Sequence, residues 1–371
     1  MEICKLSDIA KFTTGKLNSN AAEPGGNYPF FTCAPEPLRI NSYAFDTQAI
    51  ILAGNNAEGN FHIQYYEGKF NAYQRTYVVE SCDKARVNLQ YLYYALKMCL
   101  QHFKQISQGT ATKFLTAKIL NGFELPIPKI ELQNKVALFL GELDEKIRTN
   151  ERINKNLEQQ AHAIFANEFL TFDTLPKGWK QASLIDIADY LNGLAMQKYR
   201  PTVGENGIPV LKIKELRQGS CDNNSELCSP SIKSDYIVHD GDIIFSWSGS
   251  LLVDFWCGGI CGLNQHLFKV TSSKYDKWFY YAWTKHNLDH FIAVAADKAT
   301  TMGHIKRDEL AKAEVLIPNE ADYNRIGALL QPIYEMIISN RIENKKLAEA
   351  RDTVLPKLMN GEIDMSEVDY E

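Results

Sequence analysis

Polar and aromatic side chains beside glycines form two clusters along the chain, and their chemistry suits contact with nucleic acid. Asparagine and glutamine can make paired hydrogen bonds to adenine, and arginine or lysine can do so to guanine, while threonine suits phosphates. The first cluster consists of Asn55, Asn56, His62, Gln74, Arg75, Thr110, Thr112 and Lys113. The second consists of Lys198, Tyr199, Arg200, Trp247, Ser248, Gln265, His266, Lys298, Thr300, Thr301 and His304. Taken singly, each residue is more typical of a solvated loop, but the recurrence of the cluster favours DNA contacts.

Motifs for catalysis are missing from the sequence. Gly15-Lys16 and Gly68-Lys69 lack the upstream glycine and the following Ser/Thr of a phosphate-binding loop. No G-x-S-x-G or H-E-x-x-H segment is present. The eight cysteines lack the C-x₂-C spacing of a zinc ribbon, and we expect reduced thiols. The sequence therefore predicts no catalytic residue, no metal site and no cofactor bound by this chain.

Composition indicates a folded chain of two or three domains. The 371 residues are 45% hydrophobic and 23% charged, as in ordinary globular proteins. No apolar stretch is long enough to span a membrane and the N-terminus has no signal-like segment, so we expect a cytoplasmic protein without membrane contact. The net charge of -5 argues against DNA binding, but residues 1–128 hold 12 basic and 10 acidic side chains and residues 171–318 hold 16 and 17. Phosphate contacts must therefore come from local patches or from partner subunits.

An internal repeat organises the chain. Leu125–Val136 resembles Val315–Ile326 at an offset of 190, and Leu6–Ala10 matches Leu184–Ala188 at an offset of 178. The chain is thus a duplication in which each half is a block followed by a helix. Each block mixes strand-like and helical patterns and is predicted to be α+β. The predicted strands are Ala49–Ala53, Thr76–Val79, Asp242–Ser246 and His266–Val270, and the predicted helices are Leu89–Phe103 and Trp278–Phe291.

After each block, apolar residues recur at alternating spacings of 4 and 3, which is typical of a coiled-coil seam. The first such helix is predicted over Leu132–Glu168, and its 37 residues would span about 55 Å. In the second helix Pro332 would remove a backbone hydrogen bond, so this helix is expected to kink or to begin there.

Two asparagines interrupt each seam, and they are Asn150 and Asn154 in the first helix and Asn340 and Asn344 in the second. An asparagine in a seam costs stability and fixes register. If the helices pair antiparallel, Asn150 faces Asn344 and Asn154 faces Asn340, so one register satisfies all four amides. The alternative is that these asparagines are solvated and that the seam turns away from its partner.

The whole chain resembles a specificity (S) subunit of type I DNA restriction-modification systems. The resemblance rests on Leu175–Trp179, Leu184–Ala188, Gly241–Gly249, Leu263–His266, the repeated Ile127-Pro128 and Ile317-Pro318, and Lys146–Asn150. The order of these motifs recurs in both halves of the chain, and this order is more specific than any single motif. The first block departs from the pattern, because Thr47–Gly54 stands where a Gly-Asp-Ile-Ile motif is expected.

This resemblance implies a non-catalytic subunit with two target-recognition domains, each followed by a long helix, the two helices pairing as an antiparallel coiled coil. The implied boundaries are 1–128 and 175–318 for the target-recognition domains, 129–174 for the first spacer helix, and 319–371 for the second helix with an acidic tail. The implied partners are double-stranded DNA, two methyltransferase (M) subunits that use S-adenosylmethionine (SAM), and two restriction (R) subunits that use ATP and Mg²⁺.

Two other function classes remain open. A protein-binding scaffold with two ligand domains on a coiled coil is favoured by the net charge, whereas the clustered Asn, Gln, Arg and Trp residues favour DNA. A self-sufficient modification enzyme is disfavoured by the absent cofactor motif.

A helix of about 55 Å matches roughly 16 base pairs of DNA, which suits a protein that reads two separated half-sites.

Overall fold

The computed structural model describes residues 1–297 and 307–365, and the chain forms two compact units. The first unit comprises residues 1–145 and the chain from Ala348 onward, and the second comprises Lys146–Leu347. The first unit contains strands β1 (Glu2–Lys5), β2 (Ala10–Thr14), β3 (Tyr28–Phe31), β4 (Leu38–Ile40), β5 (Phe45–Ala53), β6 (Asn55–Asn56), β7 (Ile63–Ala72), β8 (Thr76–Ser81), β9 (Lys113–Phe114) and β10 (Glu124–Ile127), with helices α1 (Leu6–Ile9), α2 (Leu89–Met98), α3 (Leu100–Ile106) and α4 (Ala117–Asn121).

A 40-residue helix, α5 (Ile130–Phe169), begins in the first unit and ends in the second. The second unit continues with β11 (Lys180–Ser183), β12 (Asp189–Asn192), β13 (Ile208–Leu211), β14 (Leu227–Cys228), β15 (Ile237–Val238), β16 (Ile243–Ser246), β17 (Leu252–Phe255), β18 (Cys261–Leu263), β19 (Leu267–Thr271) and β20 (Glu314–Ile317), and with helices α6 (Leu184–Ile187), α7 (Ile213–Gln218), α8 (Lys277–His286), α9 (Leu288–Asp297) and α10 (Arg307–Lys312). The last helix, α11 (Glu320–Met359), starts in the second unit and ends in the first.

In the first unit, the main sheet has the strand order β2-β8-β5-β7-β3-β4. Its strand β5 ends in the buried run Ala49–Ala53, which is the continuous apolar pattern of a strand covered on both faces. Ile50 and Leu52 belong to one hydrophobic cluster with residues of α2, while Ala49 and Ile51 belong to another. Successive side chains of β5 thus alternate between two hydrophobic clusters, as expected for a strand whose side chains point to opposite faces of the sheet.

The second unit repeats this plan. Its sheet β12-β19-β16-β17 has the same strand order as β2-β8-β5-β7. The parallel pair β13·β18 corresponds to β3·β7, so the long strand β7 has two counterparts, β17 and β18. Glu2 pairs with Ile127 across β1 and β10, and Lys180 pairs with Ile317 across β11 and β20. These partners are related by the offsets of 178 and 190 that the sequence shows, so the α+β fold with an internal duplication is confirmed. The segment Thr47–Gly54 supplies most of β5, the counterpart of β16, although it lacks the Gly-Asp-Ile-Ile motif.

The two long helices lie where the periodicity predicts them, within two residues at each end of the first. The prediction that the second helix would begin at Pro332 is wrong, because α11 begins at Glu320 and continues through the proline. Within the described part of the chain, no helix combines the length and apolar character needed to cross a membrane.

Inside the second unit, α5 and α11 run antiparallel and contact each other through the four seam asparagines. Asn150 Nδ2 donates to Asn344 Oδ1 (2.8 Å), and Asn340 Nδ2 donates to Asn154 Oδ1 (2.8 Å). The other amide of each pair donates to a carbonyl of the facing helix: Asn344 Nδ2 lies 3.3 Å from the carbonyl oxygen of Ile147, and Asn154 Nδ2 lies 3.4 Å from that of Ile337. These are the two pairs that the sequence predicts. Each hydrogen bond of one pair has a counterpart in the other at the repeat offset of 190 residues.

Candidate nucleic-acid interface

In the first unit, the candidate residues meet where the central strand β5 ends beside the turn that joins β7 to β8. The turn Tyr73–Thr76 is closed by the backbone N–H of Thr76, which donates to the carbonyl oxygen of Tyr73 (2.9 Å). The last pair of the β5·β8 ladder is Ala53 with Thr76, so Gly54 and Asn55 come directly beside Gln74 and Arg75. The backbone N–H of Gly54 donates to the carbonyl oxygen of Arg75 (2.8 Å).

The second unit has the same arrangement at the end of β16. The backbone N–H of Leu267 donates to the carbonyl oxygen of Asn264 (3.0 Å), closing a turn that presents Gln265 and His266. The last pair of the β16·β19 ladder is Ser246 with Leu267, which places Trp247 and Ser248 beside this turn. Gln74 and Arg75 therefore correspond to Gln265 and His266, in line with the duplication.

Each turn lies against a glycine at the end of a neighbouring strand, Gly15 after β2 and Gly193 after β12. A Cβ on Gly15 would lie 1.7 Å from the carbonyl oxygen of Ala72, and a Cβ on Gly193 would lie 2.2 Å from that of Asn264. No side chain fits such a gap, so only glycine allows β2 and β12 to lead the chain this close to the turns. The two glycines are 178 residues apart, which is the offset of the repeat, so their spacing is a signal in the sequence that could have located both turns.

The short ladder β6·β9 brings a third segment to the first site. Asn55 pairs with Phe114 and Asn56 with Lys113, so Thr110, Thr112 and Lys113 lie near the end of β5. Burial raises the pKa of Tyr77, whose hydroxyl donates to the carbonyl oxygen of Leu115 (2.9 Å) and thereby ties the end of β9 to β8.

Contacts inside the first site show how each side chain is held. Gln74 Nε2 donates to Asn18 Oδ1 (2.6 Å), and the Arg75 guanidinium stands 5.5 Å from the centre of the Phe114 ring. Asn55 Oδ1 accepts from Cys33 Sγ (3.0 Å). Gln74 and Arg75 are exposed. The sequence prediction did not include Asn18, Cys33 and Phe114, because each reaches the site from a distant part of the chain.

Asn56 has a different environment from the one expected of a base-contacting residue. Its Oδ1 accepts from the backbone N–H groups of Glu58 (2.9 Å) and Asn60 (3.0 Å), so this oxygen closes its own loop. His62 is half-buried just before β7, and its carbonyl oxygen accepts from the backbone N–H of Ala53 (2.9 Å).

In the second site, a hydrogen-bonded network fixes the turn. Ser248 Oγ lies 3.1 Å from His266 Nδ1, and Asn264 Nδ2 donates to Gln265 Oε1 (3.2 Å). Trp247 Nε1 donates to Asn192 Oδ1 (3.0 Å), and the Trp247 ring lies 6.2 Å from the imidazole of His266. Asn192 was not among the sequence candidates.

A second group of exposed residues, Lys198, Tyr199 and Arg200, follows β12 in the second unit. Lys198 ends a short 3-10 turn that begins at Met196, and Tyr199 and Arg200 follow it. The Met196 side chain is buried and anchors the segment to the core. Lys298, Thr300, Thr301 and His304 lie outside the described residues. Over residues 1–297 and 307–365, no three His, Cys, Asp or Glu side chains lie close enough together to hold a metal ion.

Comparison with known proteins gives one consistent family. A model of the type I restriction modification DNA specificity domain matches residues 1–159 and 176–350. The type I restriction enzyme EcoDI specificity subunit of Escherichia coli is 27% identical over 97% of this chain and 88% of its own length. The MjaIX specificity subunit of Methanocaldococcus jannaschii is 28% identical over 75% and 70%. The crystal structure of the type I S subunit from M. genitalium shares the fold, with a TM-score of 0.63, 15% identity, and coverage of 98% and 96%.

Proposed function

The chain belongs to the family of type I restriction modification DNA specificity proteins, and from this premise we propose that it reads a bipartite DNA target. Each unit would carry one target-recognition domain, within 1–128 and 175–318, and would read one half-site. Members of this family are not catalytic. The chain would recruit two methyltransferase subunits, which use SAM, and two restriction subunits, which use ATP and Mg²⁺.

The observation that carries this proposal is the recurrence of one polar site in both units. Each site combines the end of a central strand with a turn that presents a glutamine and a basic or imidazole side chain. Glutamine and arginine are suited to adenine and guanine respectively. A duplicated fold with different side chains at the same place is what two different half-sites require.

The helices α5 and α11 would set the distance between the half-sites. Their asparagine pairs hold one register within the second unit, and a slipped register would leave buried amides unpaired. We propose that Asn150, Asn154, Asn340 and Asn344 keep the spacer length constant in this way.

A DNA-binding measurement tests the proposal. The complex of this chain with its methyltransferase subunit should shift target-containing duplexes in a gel, with affinity roughly 1,000-fold or more above that for other duplexes at physiological salt. Raising the salt should weaken both kinds of binding. Equal affinity for all sequences, with the complex shown to assemble, would instead support the protein-binding scaffold that the net charge favours.

A further inference from the structure

The two turns form the same structural element but differ at their second position. In each, a backbone N–H closes the turn, at 2.9 Å for Thr76 and 3.0 Å for Leu267. The first central position of each turn is a glutamine, whereas the second is Arg75 in one unit and His266 in the other; Gln74 and Arg75 are exposed, and Gln265 and His266 are half-buried. Equal backbones with different side chains are suited to reading different bases at corresponding places.

The backbone of Arg75 has a structural role that its side chain does not share. Its carbonyl oxygen accepts from the N–H of Gly54 (2.8 Å), and Cys33 Sγ lies 3.4 Å from the same oxygen. The guanidinium is exposed and rests on the Phe114 ring. Across residues 1–297 and 307–365, no carboxylate forms an ion pair with it.

This geometry leaves the guanidinium positioned and its charge uncompensated. Stacking on Phe114 restricts the side chain without using its N–H donors. A planar fork of donors matches the O6 and N7 acceptors of guanine in the major groove. The side chain is therefore available for paired contacts to a base.

His266 offers a different chemistry at the corresponding place. Its Nδ1 is engaged with Ser248 Oγ (3.1 Å), and its Nε2 lies 3.4 Å from Gln265 Nε2. A single ring nitrogen cannot span both acceptors of a guanine as the arginine fork can.

Resting on the function proposed above, we propose that Arg75 is a specificity-determining residue that selects a guanine in the half-site of the first unit, and that His266 occupies the corresponding reading position in the second unit. The turn is then an exchangeable reading element. His266→Arg introduces a guanine preference into the other half-site.

The test measures methylation by the purified complex of this chain with its methyltransferase subunit, using SAM and duplexes in which each target position is varied. In Arg75→Ala, the preference for guanine at one position of one half-site falls by roughly 5- to 150-fold, and the other positions keep their preferences. Arg75→Lys keeps guanine as the preferred base but with weaker discrimination, because lysine also contacts guanine but lacks the planar fork. Lys84→Ala removes the same charge beyond the far end of β8 and leaves every position unchanged.

The outcomes separate this inference from the function on which it rests. Unchanged discrimination in Arg75→Ala, or equal weakening on all sequences as for a phosphate contact, overturns the role of Arg75. A wild-type complex without any sequence preference overturns the proposed function instead. Should Arg75→Ala fail to assemble, Arg75→Gln keeps a long side chain and shifts the preference to adenine, and a retained guanine preference in that variant contradicts the inference.

Discussion

Replacing Asn340 by leucine should destabilise the second unit, whereas replacing both Asn340 and Asn154 should restore most of the loss. The two side chains are buried, at 8% and 6% exposure, and share one hydrogen bond of 2.8 Å. The single change leaves the buried Asn154 Oδ1 without its donor, which costs about 1–3 kcal/mol. The double change removes both polar groups and replaces them with apolar ones of similar size, so its cost is near zero. The single change at Asn154 leaves Asn340 Nδ2 without its acceptor and costs a similar amount. The double variant should therefore be about 2–6 kcal/mol more stable than the sum of the two single losses implies.

The sequence provides a selective assay for this cycle. All five tryptophans lie in the second unit, at positions 179, 247, 256, 278 and 283, so urea unfolding followed by tryptophan fluorescence reports that unit. The wild type, both single variants and the double variant are compared at equal m-values. If the double variant loses the sum of the two single losses, the asparagines do not act as a pair and the reasoning is refuted.

Three further predictions follow from the same structure. Gly193→Ala should destabilise the second unit by about 1–3 kcal/mol in the fluorescence assay, because its Cβ would meet the carbonyl oxygen of Asn264 at 2.2 Å; an unchanged midpoint would show that the turn yields easily. Arg325 holds the pKa of Glu168 below its usual range, so the pair stabilises the fold above about pH 4.3 and this contribution is lost as the pH falls through the lowered pKa; Glu168→Gln should cost about 0.2–1 kcal/mol at pH 7 and nothing at low pH, and a difference that persists in acid would contradict this assignment. One heptad inserted into each long helix adds about 10 Å to each and should lengthen the spacer between the half-sites by about 3 base pairs; an unchanged methylated motif would exclude the helices as a ruler.

Features that depend on local periodicity can be predicted from the sequence. The seam spacing locates α5 to within two residues, and the repeat offset correctly pairs Asn150 with Asn344. The duplication is visible because the long helices, and the segments that lead into them, match at a constant offset of 190 residues. The expected helix start at Pro332 is wrong because the propensity of one residue is outweighed by the packing of a 40-residue helix.

Contacts between distant parts of the chain could not be predicted in this way. Gln74 and Asn18 are 56 residues apart, and Cys33 and Asn55 are 22 apart. Their proximity depends on the register of non-adjacent strands, which local patterns do not specify. The use of Asn56 to close its own loop is equally hidden, since an asparagine beside glycine is as typical of a turn as of a base contact.

The most direct test of the central claim is the adenine methylome of cells that express the cognate methyltransferase subunit with and without this chain. We predict that one split motif, with two half-sites and a spacer of constant length, is methylated only when the chain is present. The absence of any new methylated motif, in cells where the complex demonstrably assembles, would contradict the claim that this chain reads the DNA target.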